Sequence, residues 1–192
     1  MDILIATKNP GKFKEIASFM RASDLKFVSL SDLKIEQDFP ENATTFEENA
    51  LGKARFYSEL TGLPALADDS GIFISALADE LGVKTRRWGA GEAASDEVWL
   101  AYFMNRMASE QDRSAKFVCA AAFVSSDRQE LFMGETHGKI TDQLEAPIYA
   151  GIPLSSVFKP EGSDKVYSLL SPEEKNKISH RGKAFAELFK HI

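Results

Sequence analysis

Short apolar runs alternate along the chain with stretches whose apolar residues recur at helical spacing. Ile3-Leu4-Ile5-Ala6 reads as a buried strand, ending at the polar group Thr7-Lys8-Asn9-Pro10-Gly11-Lys12. Phe13, Ile16, Ala17 and Met20 then mark a helix. Lys26-Phe27-Val28 predicts a second strand, and Ser31 to Ala43 a polar, acidic loop. A helix starts at Thr45, with Glu48 three residues later to complete a capping box. Phe46, Ala50, Ala54 and Tyr57 form its buried line, while Asn49 and Lys53, four apart, form another beside Phe56. Leu63 to Ile74 reads as two apolar runs, one buried strand ending and the next beginning around Asp68-Asp69-Ser70-Gly71. After an irregular region, Ala76 to Ala94, Ser95-Asp96-Glu97 opens a helix with Val98, Leu100, Ala101, Met104 and Met107 on its apolar side. Lys116 to Ser125 and Glu130 to Met133 are predicted strands joined by the turn 126–129. Ser171 with Pro172 and Glu174 starts a short helix, and Ser179-His180-Arg181-Gly182 leads into a last one carrying Phe185, Leu188 and Phe189. Strands interleaved with helices make this an α/β chain.

Composition narrows the function classes. The chain has 192 residues, 44% of them hydrophobic, enough for one sizeable α/β domain or two closely packed lobes. Apolar stretches fall short of the ~20 residues that span a bilayer, and no basic region precedes Ile3-Leu4-Ile5, so the expectation is a soluble, cytoplasmic protein without membrane partners. The single cysteine, Cys119, sits in an apolar strand and reads as core filler. A formal charge of −6 argues against nucleic acid as a partner; a polyphosphate ligand would need a local basic cluster or a metal ion.

Two stretches carry candidate chemistry. Asp68-Asp69-Ser70-Gly71 offers hard oxygen ligands beside a glycine that lets a ligand approach the backbone; the same residues also suit an Asx turn. The Thr7 to Lys12 loop joins a strand to a helix N-terminus, with Lys8 and Lys12 adding charge and Thr7 and Asn9 hydrogen bonds, which suits a phosphate. The glycine spacing is not that of a Walker loop, and Asn-Pro-Gly is equally an ordinary connection.

Taken together in their order, Thr7 to Lys12, Thr45 to Ala54, Ala67 to Gly71 and Glu173 to Ala184 resemble the inosine triphosphate pyrophosphatase family across nearly the whole chain. That resemblance implies an elongated central mixed β-sheet flanked by helices, two lobes around a nucleotide-binding cleft within a single domain of residues 1–192, and a homodimer. It implies hydrolysis of ITP, dITP and XTP to the monophosphate and pyrophosphate with Mg²⁺. By the same carry-over Thr7, Lys8, Asn9, Gly11, Lys12 and Lys53 hold the triphosphate, and Asp69 is metal ligand and general base. Ser70 touches the substrate, Glu41 is a second metal ligand, and Lys175, His180 and Arg181 line the base end. The chain departs from the family at Ile152 and Ser155, where an aromatic and a carboxylate usually meet the base, and at Lys84-Thr85-Arg86-Arg87, where Tyr-Ser-Ala-Arg is usual. An enzyme with a different or relaxed base preference, and a catalytically weak nucleotide binder, are the alternatives these departures leave open.

Overall fold

A computed structural model describes residues 2–19, 26–78 and 80–192. Six strands form one mixed sheet in the order β2-β1-β3-β4-β5-β6, the ranges being β1 Asp2–Ile5, β2 Lys26–Ser29, β3 Ala65–Ile74, β4 Ser114–Val124, β5 Gln129–Ile140 and β6 Phe158–Pro160. β1 runs parallel to β2 and β3, whereas β3, β4, β5 and β6 pair antiparallel in turn. The helices are α1 Pro10–Ser18, α2 Phe46–Thr61, α3 Asp96–Met107, α4 Pro172–Ile178 and α5 His180–Leu188. The mixed sheet with helices on both faces is as expected from the sequence. Met20, expected on the first helix, and Asp79, within the irregular region, lie outside the described residues.

Alternation along β3 sorts the two faces. Ala65 and Ala67 join Phe46, Ala50, Ala54 and Tyr57 of α2 in one buried cluster, while Leu66 joins Ile16, Ala184, Phe185 and Leu188 on the other side. A third cluster, around Trp99, Phe103, Phe117 and Phe158, fills the far end beneath α3. The predicted buried line of α2 is therefore correct. Thr45 caps that helix by accepting from the Glu48 N–H, but the Glu48 carboxylate takes the Thr45 hydroxyl, so only half of the expected box forms. At Ser171 both halves are present.

Three expectations need correction. Asp68-Asp69-Ser70-Gly71 does not separate two strands: β3 is continuous, and each of its residues pairs with β4, Asp69 opposite Ala120. Ladder pairing overrides the turn preference of these residues. β5 continues past Met133 to Ile140, because Gly134 and Gly138 sit where α5 and β6 pack too closely to admit a side chain. On α3 the buried residues are Trp99, Leu100, Phe103 and Met107, whereas Val98 and Ala101 face outward. The large aromatic rings won the core side of this helix.

Candidate active site

β1 pairs with β3 only at Leu4 and Ile5, opposite Ala65 and Leu66, and then stops. Beyond that point β3 presents an open edge, and a cleft of about 660 Å³ forms against it. Such a crevice past the carboxyl end of a parallel strand is where open α/β sheets take ligands. Gly71 is required on this edge, because a Cβ there would overlap the Gly82 carbonyl of the neighbouring segment.

Asp69 and Asp68 leave β3 on opposite faces and play opposite electrostatic parts. Asp69 points toward α2, where its Oδ2 accepts from Asn49 Nδ2 at 2.9 Å and its Oδ1 from the Ser70 N–H at 2.8 Å. Burial raises its pKa, and Lys12 only partly offsets that; the Glu41 carboxylate adds to the rise. Asp68 points toward α1 and α5 and is fully buried. It accepts from Arg181 Nε at 3.1 Å and Nη2 at 2.9 Å, and pairs with Lys12 Nζ at 3.3 Å. Against the cost of burial, Lys12 and Arg181 hold it far below the ordinary carboxylate range. Burial works most strongly against the Lys12 charge, but Asp68 together with Asp69 and Glu41 outweighs it and raises the lysine pKa. Glu15 closes the cluster, pairing with both Arg181 and Lys175. Arg181 reaches back to Ser70 Oγ at 2.8 Å.

The cations on the other wall are held by the loop between β2 and α2. Lys53 is buried and pairs with Glu41, while Lys8 pairs with Asp38 at 2.6 Å and donates to the Glu36 carbonyl. Arg87 donates to the Glu41 carbonyl. Lys8, Lys12 and Lys53 are thus each paired with a carboxylate of the chain itself. Glu41 and Asp69 face the same cleft, and like charge so placed is what a hard divalent cation relieves. Among the described residues no group of three or more His, Cys, Asp or Glu side chains forms a metal cage. Two carboxylates are nonetheless enough for Mg²⁺, which binds through one or two of them plus substrate phosphates and water.

The Thr7 to Lys12 loop differs in detail from its expected use. Asn9 Oδ1 accepts from the N–H groups of both Gly11 and Lys12, so the first donors of α1 are already capped. Asn9 Nδ2 donates to the Gly151 carbonyl at 2.7 Å, tying this loop to the segment that carries Ile152. Gly151 has φ +81°, and a Cβ on it would overlap the Asn9 side chain, so glycine is needed here. Thr7, Lys8, Asn9 and Lys12 line the cleft; Gly11 stands behind the wall, under Ala150 and Ile152. The loop thus offers side chains rather than helix N–H groups.

At the opposite end Ile152, Ser155, Lys175, His180 and Arg181 line the cleft with Trp99 and Phe117. Lys175 Nζ donates to Ser155 Oγ at 3.3 Å and lies 5.2 Å from the Tyr167 ring centre. His180 stacks on Phe117 with centroids 4.6 Å apart and planes at 12°. Burial, then the charges of Arg181 and Lys175, push its pKa well below the ordinary histidine value, so the imidazole is neutral. All the sequence-derived candidates other than Gly11 therefore meet on one cleft. Sequence reasoning missed Asp68 and Glu15 as members of this charge network. Strand alternation was the available signal for Asp68, since adjacent strand residues must face opposite ways; nothing local marked Glu15.

Comparison with known proteins bears on this cleft. The model of the Ham1 family matches residues 3–191. A dITP/XTP pyrophosphatase of Leptospira interrogans is 34% identical over 190 residues, covering 99% of this chain and 96% of that protein. One from Symbiobacterium thermophilum is 40% identical over 196 residues, covering 99% and 94%. Among solved structures, a HAM1 protein from Coxiella burnetii matches with a TM-score of 0.80 at 33% identity, covering 99% of this chain and 97% of that one.

Proposed function

The chain belongs to the Ham1 family, and on that premise we propose that it hydrolyses the non-standard purine nucleoside triphosphates ITP, dITP and XTP to the monophosphate and pyrophosphate. The observation that carries this reading is the placement of Asp69, a buried carboxylate of raised proton affinity, on a cleft where Lys12, Lys53 and Lys8 each pair with a carboxylate of the chain. Relatives named for dITP and XTP support the substrate class.

Lys53 and Lys8 exchange Glu41 and Asp38 for phosphate oxygens as the triphosphate enters, while Lys12, still paired with Asp68, meets the phosphates from the cleft wall. Asp69, fixed by Asn49 and Ser70, takes the proton of the water that attacks the α-phosphorus, and pyrophosphate leaves into the lysines. Asp69 and Glu41 are the residues that would hold Mg²⁺, which would supply charge neutralisation and polarisation of the phosphorus. At the far end Lys175, Arg181 and the neutral His180 offer donors to a 6-oxo group; adenine presents an amino donor there instead. The same reading makes the protein a cytoplasmic homodimer, and its formal charge of −6 argues against nucleic-acid partners.

The test is a panel of ITP, dITP, XTP and the four standard triphosphates with Mg²⁺, measuring pyrophosphate, monophosphate and orthophosphate. Preferential conversion of 6-oxo purines to monophosphate plus pyrophosphate is expected. Release of orthophosphate, or absence of turnover with every nucleotide, would overturn the assignment.

Lys53 gives a second check. Truncating one partner of a desolvated charge pair costs ~2–5 kcal/mol, so Lys53→Ala should raise KM at least ~30-fold. The loss should be the same for ITP, XTP and ATP. A change confined to base preference would place Lys53 at the wrong end of the cleft.

A further inference from the structure

Fixing Asp69 takes only one of the three hydrogen bonds that the Asn49 side chain makes. Asn49 is 1% exposed, and its amide also faces the backbone of Ala43, two residues past Glu41. Oδ1 accepts from the Ala43 N–H at 3.0 Å. Nδ2 donates one hydrogen to the Ala43 carbonyl at 3.4 Å and the other to Asp69 Oδ2 at 2.9 Å. These partners admit one orientation of the amide. Turned over, it would aim its oxygen at the Asp69 carboxylate, acceptor against acceptor, and leave the Ala43 N–H facing a donor. One helical turn on, Lys53 pairs with the Glu41 carboxylate. Two side chains of α2, four residues apart, therefore reach the same short segment, Lys53 through the side chain of Glu41 and Asn49 through the backbone of Ala43. Asn49 joins that segment to β3 as well.

Resting on the function proposed above, we infer that Asn49 is a positioning residue whose amide ties the segment bearing Glu41 to Asp69, so that the two carboxylates stand ready for one divalent cation before a nucleotide arrives. The segment around Glu41 is loop, whereas β3 is held along its whole length by β4. A loop pinned to a fixed strand through a buried side chain has less motion left to lose when a ligand binds. Asp69 keeps capacity for that ligand. Each of its oxygens accepts one bond, Oδ2 from Asn49 and Oδ1 from the Ser70 N–H, and an ionised carboxylate has about four acceptor sites. Asn49 itself does not line the cleft, so it acts through the residues it holds. Outer partners that orient metal-binding side chains in this way are typically worth about 10- to 100-fold in metal affinity or activity.

The experiment titrates Mn²⁺ against nucleotide-free wild type, Asn49→Ala and Asn49→Ser by electron paramagnetic resonance. It also measures kcat and KM for ITP at saturating Mg²⁺, with thermal melts as the control for folding. A serine hydroxyl is too short to bridge Ala43 and Asp69. Both variants should bind Mn²⁺ about 10- to 100-fold more weakly and lose kcat, while KM for ITP stays close to the wild-type value because the lysines are untouched. A lower melting temperature with unchanged Mn²⁺ affinity and kcat would overturn the inference and leave Asn49 a structural tie, as would a wild type that binds no Mn²⁺. A measurement on wild type covers the case in which neither variant folds. Coupling is reciprocal, so Mg²⁺ should slow amide hydrogen exchange in residues 42–45, and exchange there that ignores Mg²⁺ would overturn the inference too. If wild type bound Mn²⁺ but turned over no nucleotide, the assigned reaction would fail, while the Mn²⁺ affinities would still decide the role of Asn49.

Discussion

Replacing Asp69 with asparagine leaves a folded protein that releases pyrophosphate at least ~10²-fold more slowly, the loss typical of removing a general base. An amide can neither accept the proton of the attacking water nor share negative charge with a divalent cation. Stability should not fall. The raised pKa means that the folded state binds the Asp69 proton more tightly than the unfolded chain does, so ionised Asp69 opposes folding as pH rises through the window between the two values. Asparagine removes that opposition at the cost of one of two hydrogen bonds, since Asn49 and the Ser70 N–H are both donors. The same shift fixes the acid limb of the wild-type pH–rate profile. Turnover needs Asp69 ionised, so kcat/KM should decline at a pH above the ordinary aspartate value of 3.8. Near-normal turnover by a folded Asp69→Asn protein, with thermal melts as the control for folding, would sink the assignment of the base.

Asp68→Ala should act on the fold. It strands Arg181 and Lys12 in the interior, and breaking a buried ion pair from one side costs ~3–5 kcal/mol. For a chain of this size that lowers the melting temperature by about 6–20 °C. Its pH dependence is opposite to that of Asp69. A depressed carboxylate contributes stability that is complete above its unfolded value of 3.8 and is lost as pH falls toward the folded value. Wild type should therefore lose this margin on acidification, and Asp68→Ala should show a shallower decline over the same range. Unfolding curves at pH 7 and pH 3 measure both effects; a melting temperature unchanged at pH 7 would mean that the cluster is solvated and not structural.

The sequence by itself determined most of the helix starts and most of the candidate side chains that the cleft gathers. Helix starts were legible because caps act within four residues: Thr45 at α2 and Ser171 at α4 each bond a backbone N–H three residues on. Asp69, Lys12, Lys53, His180 and Arg181 were legible because their segments carry chemistry-bearing side chains in an order that matches a family. Tertiary structure decided how those residues are used. Whether Asp-Asp-Ser-Gly turns or continues depended on β4, which contributes a ten-residue ladder from nearly fifty residues away. Which carboxylate gains proton affinity and which loses it depended on the faces of β3, since only packing against α2 on one side and against α1 and α5 on the other raises one pKa and lowers its neighbour's. Nor does any local pattern reveal that Asn9 spends its oxygen on α1 and its amide on Gly151. Those outcomes are set by groups far apart in the chain, and they exist only once desolvation makes each unmatched charge and donor expensive.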